Sequence, residues 1–531
     1  MTACRQLRLS GPTGGLPILR TGPRTGICRP LPAMNRLDPL KLLRLAGLAW
    51  MLAAGTLRAA EADPVPPPAR VGQIAFISGS VRMQLEEAGT WQPAELNTPI
   101  TAHGALATEP ASRVELRIGS MALRAGVSAQ FSLPELDDNA VAVEVARGSV
   151  AVRLRTLAEG ERFALGAEGA TLSALAPGAY RAEFAPRLHR LTVHVLEGQA
   201  RVTVAQQVVV LLPNQRAVID TQAQSVLEQV VGDERSRLDD FSDQRDRRSE
   251  RSAALRHLPP EMTGAEALDG HGAWRNEAGY GMVWYPDALP PDWAPYRFGR
   301  WRWMPPWGWT WVDDAHWGFA PFHYGRWLFF AGRWGWVPGA PTLRPPGWRP
   351  VYAPALVGFY GGAEGWSPAA APAPVVGWYP LAPGEVYWPA YSNRVAYVRG
   401  LNAGSVPDPG QIRAPPDANA PGPAHRFART AFAVTAVPLA SFREMQPVGP
   451  NQVGMAPAVL AQAPSPGRRL PPPPQAQGAG APESGPHAAA PDASRRTEPT
   501  APGHLAATKP KPPPGSGPGP HHAARKHRDK R

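Results

Sequence analysis

Val143-Glu144-Val145-Ala146-Arg147-Gly148-Ser149-Val150-Ala151-Val152-Arg153-Leu154 recurs fifty residues further on as Val193-His194-Val195-Leu196-Glu197-Gly198-Gln199-Ala200-Arg201-Val202-Thr203-Val204. In both copies apolar and polar residues alternate on either side of a glycine, which is the period of half-buried β-strands. Glycine at the break supplies the positive φ of a tight turn. The pattern therefore predicts two equivalent hairpins, each laying one apolar face on a shared core. His194 falls on the polar register and is expected at the surface.

Working outward, the same alternation runs from Val71 to about Asp220, with short strands at Val114-x-Leu116-x-Ile118 and Met121-x-Leu123. An all-β domain follows, either a sandwich or a short solenoid-like stack. Its opening Val71-Gly72 with Ser78-Gly79-Ser80-Val81, the stretch Arg113-Val-Glu-Leu-Arg-Ile-Gly119 and the Gly148 break resemble the FecR domain, a β-rich extracytoplasmic module known from iron-citrate signalling. The full FecR regulator carries an anti-sigma segment and a membrane helix ahead of this domain. Here a different leader takes that place, so the sigma-factor role is not carried over.

That leader begins at Met34. Arg36, Lys41 and Arg44 precede an uncharged run, Leu45–Leu57, and small residues follow at Ala60-Glu61-Ala62. This is the layout of a secretory signal peptide cleaved after Ala62, with residues 1–33 upstream of the true start. Thirteen apolar residues fall short of the roughly 20 that a membrane-spanning helix requires. The two cysteines, Cys4 and Cys28, both lie ahead of Met34, so the mature chain is expected to hold no disulfide and no thiolate chemistry. The expected location is the periplasm or the exterior.

The formal net charge of +12 is concentrated at the two ends. Residues 1–62 and 465–531 each carry +7, which leaves residues 63–464 at −2. A basic face for nucleic acid is not expected on such a body. Lysine is absent between Lys41 and Lys509, which excludes a Walker-type phosphate loop and a Schiff-base amine from that stretch.

Between Asp233 and Arg256 fourteen charged residues stand among sparse apolar anchors, Leu238, Phe241 and Leu255. This reads as a solvated helix joining two domains, its charges paired along the surface. Beyond it, sixteen of the eighteen tryptophans lie between Trp274 and Trp388. Pro295-Tyr-Arg-Phe-Gly-Arg-Trp301 returns twenty-six residues later as Pro321-Phe-His-Tyr-Gly-Arg-Trp327, and each copy is followed by Trp-Gly-Trp, at 307–309 and 334–336. Two related β units are implied.

Indoles bury large areas, so a few of them can build a core without disulfides. Rings left exposed would instead form a platform for sugar rings or peptides. The candidates for such a surface are Trp301, Trp309, Trp317, Trp327 and Trp334, with Arg300 and Arg326 stacking on ring faces and His323 within the repeat. Together with Tyr280-Gly281, Trp284-Tyr-Pro286, Trp334-Gly-Trp-Val-Pro-Gly339, Gly377-Trp-Tyr-Pro-Leu-Ala-Pro383 and Val434-Thr-Ala-Val-Pro438, this region is similar to an uncharacterised family of secreted proteobacterial proteins with Trp-rich repeats behind a FecR-like domain. The resemblance spans about residues 71–450 and brings no established activity with it.

No catalytic constellation emerges. Asp313 and Asp314 are adjacent and would point to opposite faces of a strand, His316 and His323 lack the spacing of a zinc motif, and no G-x-S-x-G elbow occurs. No catalytic residue, metal ligand or cofactor is expected. From Ser465 sixteen prolines in 67 residues leave too little apolar content for a core. The basic end could touch an anionic surface.

The expected organisation is a leader over 1–62, a Pro-rich linker over 63–70, the FecR-like β domain over 71–220, a charged helical linker over 221–262, a Trp-rich β domain over 263–450 and a disordered basic tail over 451–531. The expected function is a non-enzymatic envelope protein that binds or scaffolds an envelope polysaccharide or protein. A FecR-type sensory component is the alternative, and a cell-wall hydrolase the third reading.

Overall fold

Seventeen strands grow from the alternation that starts at Val71, and they form two sheets around one apolar core. In the first sheet the order is Pro99–Ile100, Gly72–Ser78, Arg113–Ile118, Met121–Ala125, Ala140–Leu154, Gly178–Ala185, Arg190–Glu197, Gln215–Asp220 and Ser225–Val231. In the second it is Gln92–Pro93, Val81–Gln84, Ala105–Thr108, Gln130–Leu136, Ala140–Leu154, Arg162–Ala167, Ala170–Ala174, Ala200–Val204 and Gln207–Leu211. The fold is all-β, as the alternation requires. This computed structural model describes residues 66–472 except 233–234, 344–347, 363, 369–370, 372, 415–423 and 465–469. The leader, both cysteines and the tail past residue 472 lie outside the described residues.

The two glycine-centred repeats are not hairpins. Ala140–Leu154 is one long strand: its first half pairs with Gln130–Leu136 and Arg162–Ala167 in one sheet, its second with Met121–Ala125 and Gly178–Ala185 in the other. The later copy does the same in reverse, with Arg190–Glu197 in the first sheet and Ala200–Val204 in the second. Gly148 and Gly198 are corners where the chain passes between layers. Their φ values are +76° and +87°, and a Cβ would lie 2.7 Å from the Ala129 Cα or 2.6 Å from the Pro177 carbonyl oxygen. Each flank already has neighbours on both sides, so the glycine turns the chain without folding it back on itself.

The helix over Arg237–Glu250 is clamped, not solvated. Ser236 and Asp239 form a reciprocal capping box at its start, which satisfies backbone donors that have no partner within the helix. Leu238 and Phe241 pack on Ala151, Phe241 lies 5.5 Å from Phe76, and the Arg245 guanidinium sits 4.9 Å over the Phe76 ring. The outward register of the first sheet, Glu115, Arg117, Arg124, Arg181 and His194, is therefore buried under the helix. His194 was expected at the surface; helix cover places it 5 % exposed.

Glu115 is the centre of this layer. Its side chain is wholly buried and its two oxygens accept from Arg117 at 2.9 Å, Arg124 at 2.7 Å and Arg245 at 2.7 and 3.0 Å. Arg124 also reaches Asp246 at 2.7 Å, and Arg117 reaches Glu266 at 3.0 Å. Burial alone would raise the Glu115 carboxyl, but the three guanidiniums override it and hold the group well below the usual carboxylate range. Arg181 pairs with Asp239 and contacts His194. Burial, with Arg181 and Arg216 nearby, pushes the His194 imidazole down to about 3.

The Trp-rich half begins where this network ends. Gly272–Glu277, Gly281–Pro286, Arg333–Val337 and Arg326–Phe330 make a four-stranded sheet; Gly299–Met304 and Gly308–Asp313 make a hairpin; Val357–Tyr360, Val375–Pro380 and Thr435–Pro438 make a third sheet. Both quoted repeats are hairpins, with Trp301 opposite Trp311 and Trp327 opposite Trp336. The structural repeat thus aligns Trp309-Thr-Trp311 with Trp334-Gly-Trp336, two residues away from the match between the Trp-Gly-Trp triplets. A third copy precedes them, with Trp274 opposite Trp284.

In all three a glycine opens or immediately precedes the first strand, and its missing side chain leaves room for the facing indole. A Cβ on Gly272, Gly299 or Gly325 would come within 2.5 to 2.8 Å of Trp284, Trp311 or Trp336. The two halves dock through a buried amide: Asn97 donates to the carbonyls of Asp313 and Ala315 at 3.0 and 2.7 Å and accepts from Gln73 at 3.1 Å.

Two outcomes follow from the buried charges. Glu115→Gln leaves three guanidiniums without their anion, and the expected loss is about 3–5 kcal/mol in urea denaturation; a loss under about 1 kcal/mol is what a solvated pair would give. His194 stays neutral in the fold down to about pH 3, whereas unfolded it gains a proton below its ordinary 6.5. Its contribution is present above 6.5 and declines as pH falls through that window, by up to about 1.4 kcal/mol per pH unit. His194→Gln should flatten that part of a stability–pH curve; an unchanged slope overturns the assignment.

Candidate functional site

The aromatic platform expected from the sequence is not present, because its members are core. Trp301, Trp309, Trp317, Trp327 and Trp334 are 6 % exposed or less, and Arg326 and His323 are buried with them. The cause is mutual packing. Trp301 meets Trp311, Phe359 and Trp378 at 5.1 to 5.5 Å between centroids, and Trp327 meets Trp293 edge-on at 5.4 Å. Such edge-to-face pairs gain from the ring quadrupole in addition to area. The indole N–H groups of Trp284, Trp301 and Trp327 have no oxygen or nitrogen partner among the described residues, so ring contacts surround them instead.

The two arginines do not stack on their neighbouring indoles. Arg300 is half-buried and pairs with Glu95 at 3.3 Å, alongside Arg302 at 2.6 Å, which ties the hairpin to the sandwich. Arg326 donates to the Glu385 carbonyl at 3.1 Å and to the Asn402 amide oxygen at 2.7 Å. Burial pushes its guanidinium down to about 10. His323 bonds through Nδ1 to the Ala353 carbonyl at 2.8 Å, between the rings of Phe319 and Tyr352; burial lowers it to about 3. It is a neutral hydrogen-bonding strut.

Nor do Asp313 and Asp314 make a dyad. Asp313 is buried and accepts from the Trp311 indole and the Ala315 amide, both at 3.0 Å. Burial raises it well above the usual range. Asp314 is exposed. Among the described residues no cluster of three His, Cys, Asp or Glu could hold a metal ion.

What the fold does open is a groove of about 620 Å³ in the Trp-rich half. Trp293, Phe329, Trp334 and Phe432 supply its aromatic walls, Leu289 with Pro290 and Pro291 supply a stiff side, and Asp287, Asp292 and Arg333 stand at its polar positions. Phe432 is 46 % exposed, lies 4.5 Å from Phe329 and faces Trp334 at 64° and 5.9 Å. Trp334 is the one residue of the expected platform that reaches it.

Arg297 holds the groove in shape. It donates to the Asp292 carbonyl on one side, and to the carbonyls of Phe432 and Val434 at 2.9 and 3.0 Å and the Thr435 hydroxyl at 3.2 Å on the other. Arg297 occupies the repeat position of His323, and both spend their polar atoms on distant backbone carbonyls. Phe329, Phe432 and Arg297 were not among the sequence candidates. Phe432 belongs to no repeat, and no local pattern marked it.

A larger cleft, about 1180 Å³, lies beside the Arg237–Glu250 helix and is lined by Arg117, Arg235, Arg245, Glu115, Glu266 and His271 among others. Several of its charges are paired, Arg117 and Arg245 on Glu115 and Arg235 on Asp240 and Asp243, and Arg247, Arg248 and Arg251 line it as well. The groove, unlike the cleft, is walled by Trp and Phe rings. No helix of the described residues is long and apolar enough to cross a membrane.

No curated protein matches the chain. Two crystal structures of a proposed anti-sigma factor from Parabacteroides distasonis ATCC 8503, at 2.50 and 1.65 Å, align with a TM-score of 0.22 and 15 % and 14 % identity, over 24 % of this chain and 60 % of theirs. So distant a likeness carries no argument about role. Residues 265–385 match the model of a family of unknown function (DUF6600), a stretch that runs from the end of the charged layer through the four-stranded sheet, the Trp301 hairpin and the first two strands of the third sheet.

Proposed function

We propose that this chain is an exported, non-enzymatic envelope protein in which the FecR-like sandwich serves as a rigid base and the Trp-rich half binds an extended polysaccharide of the envelope. The observation that supports this most directly is the groove walled by Trp293, Phe329, Trp334 and Phe432. Sugar rings present apolar C–H faces that pack on aromatic rings, while their hydroxyls need a few fixed polar groups. Asp287, Asp292 and Arg333 provide such groups at the groove. The leader ahead of Asp63 supports export, and the near-neutral body supports a ligand that is not a nucleic acid.

The sensory alternative rests on the FecR-like motifs of residues 71–220 and would require a membrane partner, with transcription changing on deletion. The groove supports the binding reading, because its aromatic walls include the half-exposed ring of Phe432.

Phe432→Ala removes a half-exposed ring and should leave the melting temperature within a few degrees, as surface substitutions do. Combined with Phe329→Ala it should lower retention of the full chain on purified cell-wall glycan about tenfold or more, on the scale of stacking losses of one or more kcal/mol. Equal retention by both proteins removes the groove as the ligand site.

A further inference from the structure

The chain places a proline-rich segment of its own against a tryptophan it had no local reason to meet. The Trp309 indole N–H donates to the Pro471 carbonyl at 2.9 Å, across 162 residues. Trp309 stands edge-on to Trp303 at 5.6 Å and 86°, and lies 4.4 Å from Phe442. Pro471 is buried, and Leu470 packs on the same core. The approach is anchored upstream, where Leu460 is fully buried and the Arg429 guanidinium donates to the carbonyls of Leu460 and Ala461.

This is the chemistry by which aromatic grooves read proline-rich peptides. A proline run holds an extended conformation at little entropic cost, has no N–H of its own, and turns strong carbonyl acceptors outward. An indole offers a flat face for the pyrrolidine rings and one N–H for a carbonyl. Pro471 is the first of four consecutive prolines, Pro471–Pro474, so the contact falls at the mouth of such a run and not at an arbitrary loop.

We infer that Trp303, Trp309 and Phe442 form a recognition site for a proline-rich peptide, occupied in cis by Leu470–Pro472. This surface is separate from the groove walled by Phe329 and Phe432, and its assignment does not rest on the polysaccharide reading. Its consequence is a strap: Leu470–Pro472 lies against the Trp309 indole. A free proline-rich peptide is then a competitor whose access depends on release of the strap.

The test uses the full chain and a labelled synthetic peptide of residues 467–478. Replacing Pro471, Pro472, Pro473 and Pro474 with Ser in the protein should empty the site, so that the peptide binds about tenfold or more tighter than to the unaltered chain, whose linked segment competes at high effective concentration. Trp309→Phe in that background keeps a ring but loses the donor, and should weaken binding about tenfold. A peptide with serine in place of the prolines should not bind.

Because Trp309 is itself buried, a second measurement leaves it unsubstituted: 5-fluorotryptophan at position 309, read by fluorine NMR. Its resonance should move when the four prolines of the chain become Ser and return when the peptide is added. A resonance indifferent to both changes, or peptide binding equal in the two chains, overturns the inference and leaves Leu470–Pro472 as ordinary packing.

Discussion

A single buried carboxylate organises the first half of the molecule. Glu115 projects from the outward face of a β-strand, where the period-2 pattern directs it to water, yet three arginines meet it there, two from the sheet and one from the overlying helix. An anion without solvent is tolerable only when its oxygens are saturated with donors, and so the helix must lie where Arg245 can complete the set. The same layer passes through Arg117 to Glu266 and through Thr263 to the Gly119 amide, residues at the threshold of the Trp-rich half. That charged layer thus reaches the start of the Trp-rich half, beside the Asn97 and Glu95 contacts that also join the two.

The Trp-rich half solves a different problem with the same economy. Its strands are short, and each hairpin alone has little to bury. Glycine at the opening of three hairpins lets an indole lie across the facing backbone, and the indoles then pack on each other from different sheets. Polar side chains within this mass, Arg297, Arg326, His323 and Asn402, are spent on backbone carbonyls and amides that irregular loops would otherwise leave unpaired. A half-exposed ring remains where a loop from far along the chain brings Phe432 against Phe329, whereas Trp309 is buried with Pro471 against it.

Much of the architecture was legible in local pattern. Alternation marked the sandwich strands, the glycines at 148 and 198 marked real breaks, and the spacing of Trp301 and Trp327 marked two related hairpins. Local pattern misread the breaks as hairpins, because a corner between sheets and a reversal both need positive φ, and only the neighbours of each flank distinguish them. It misplaced His194 and the helix charges for one shared reason: alternation separates two faces but does not say whether a third layer covers the outer one. The candidate surface was misjudged in the same way, since an indole that serves as core and one that serves as platform have the same sequence signature.

The sequence by itself determined the all-β character of the chain, the segregation of tryptophan into one region, the lack of lysine and cysteine chemistry in its body and the core-poor composition of its end. These are properties of composition and short period, which are fixed residue by residue. Tertiary structure alone decided which aromatic rings are exposed, which charges neutralise Glu115, and which tryptophan meets a proline 162 residues away. Each of those depends on contacts between segments far apart in the chain. Burial and pairing are set by what arrives on the far side of a residue, and no local period carries that information.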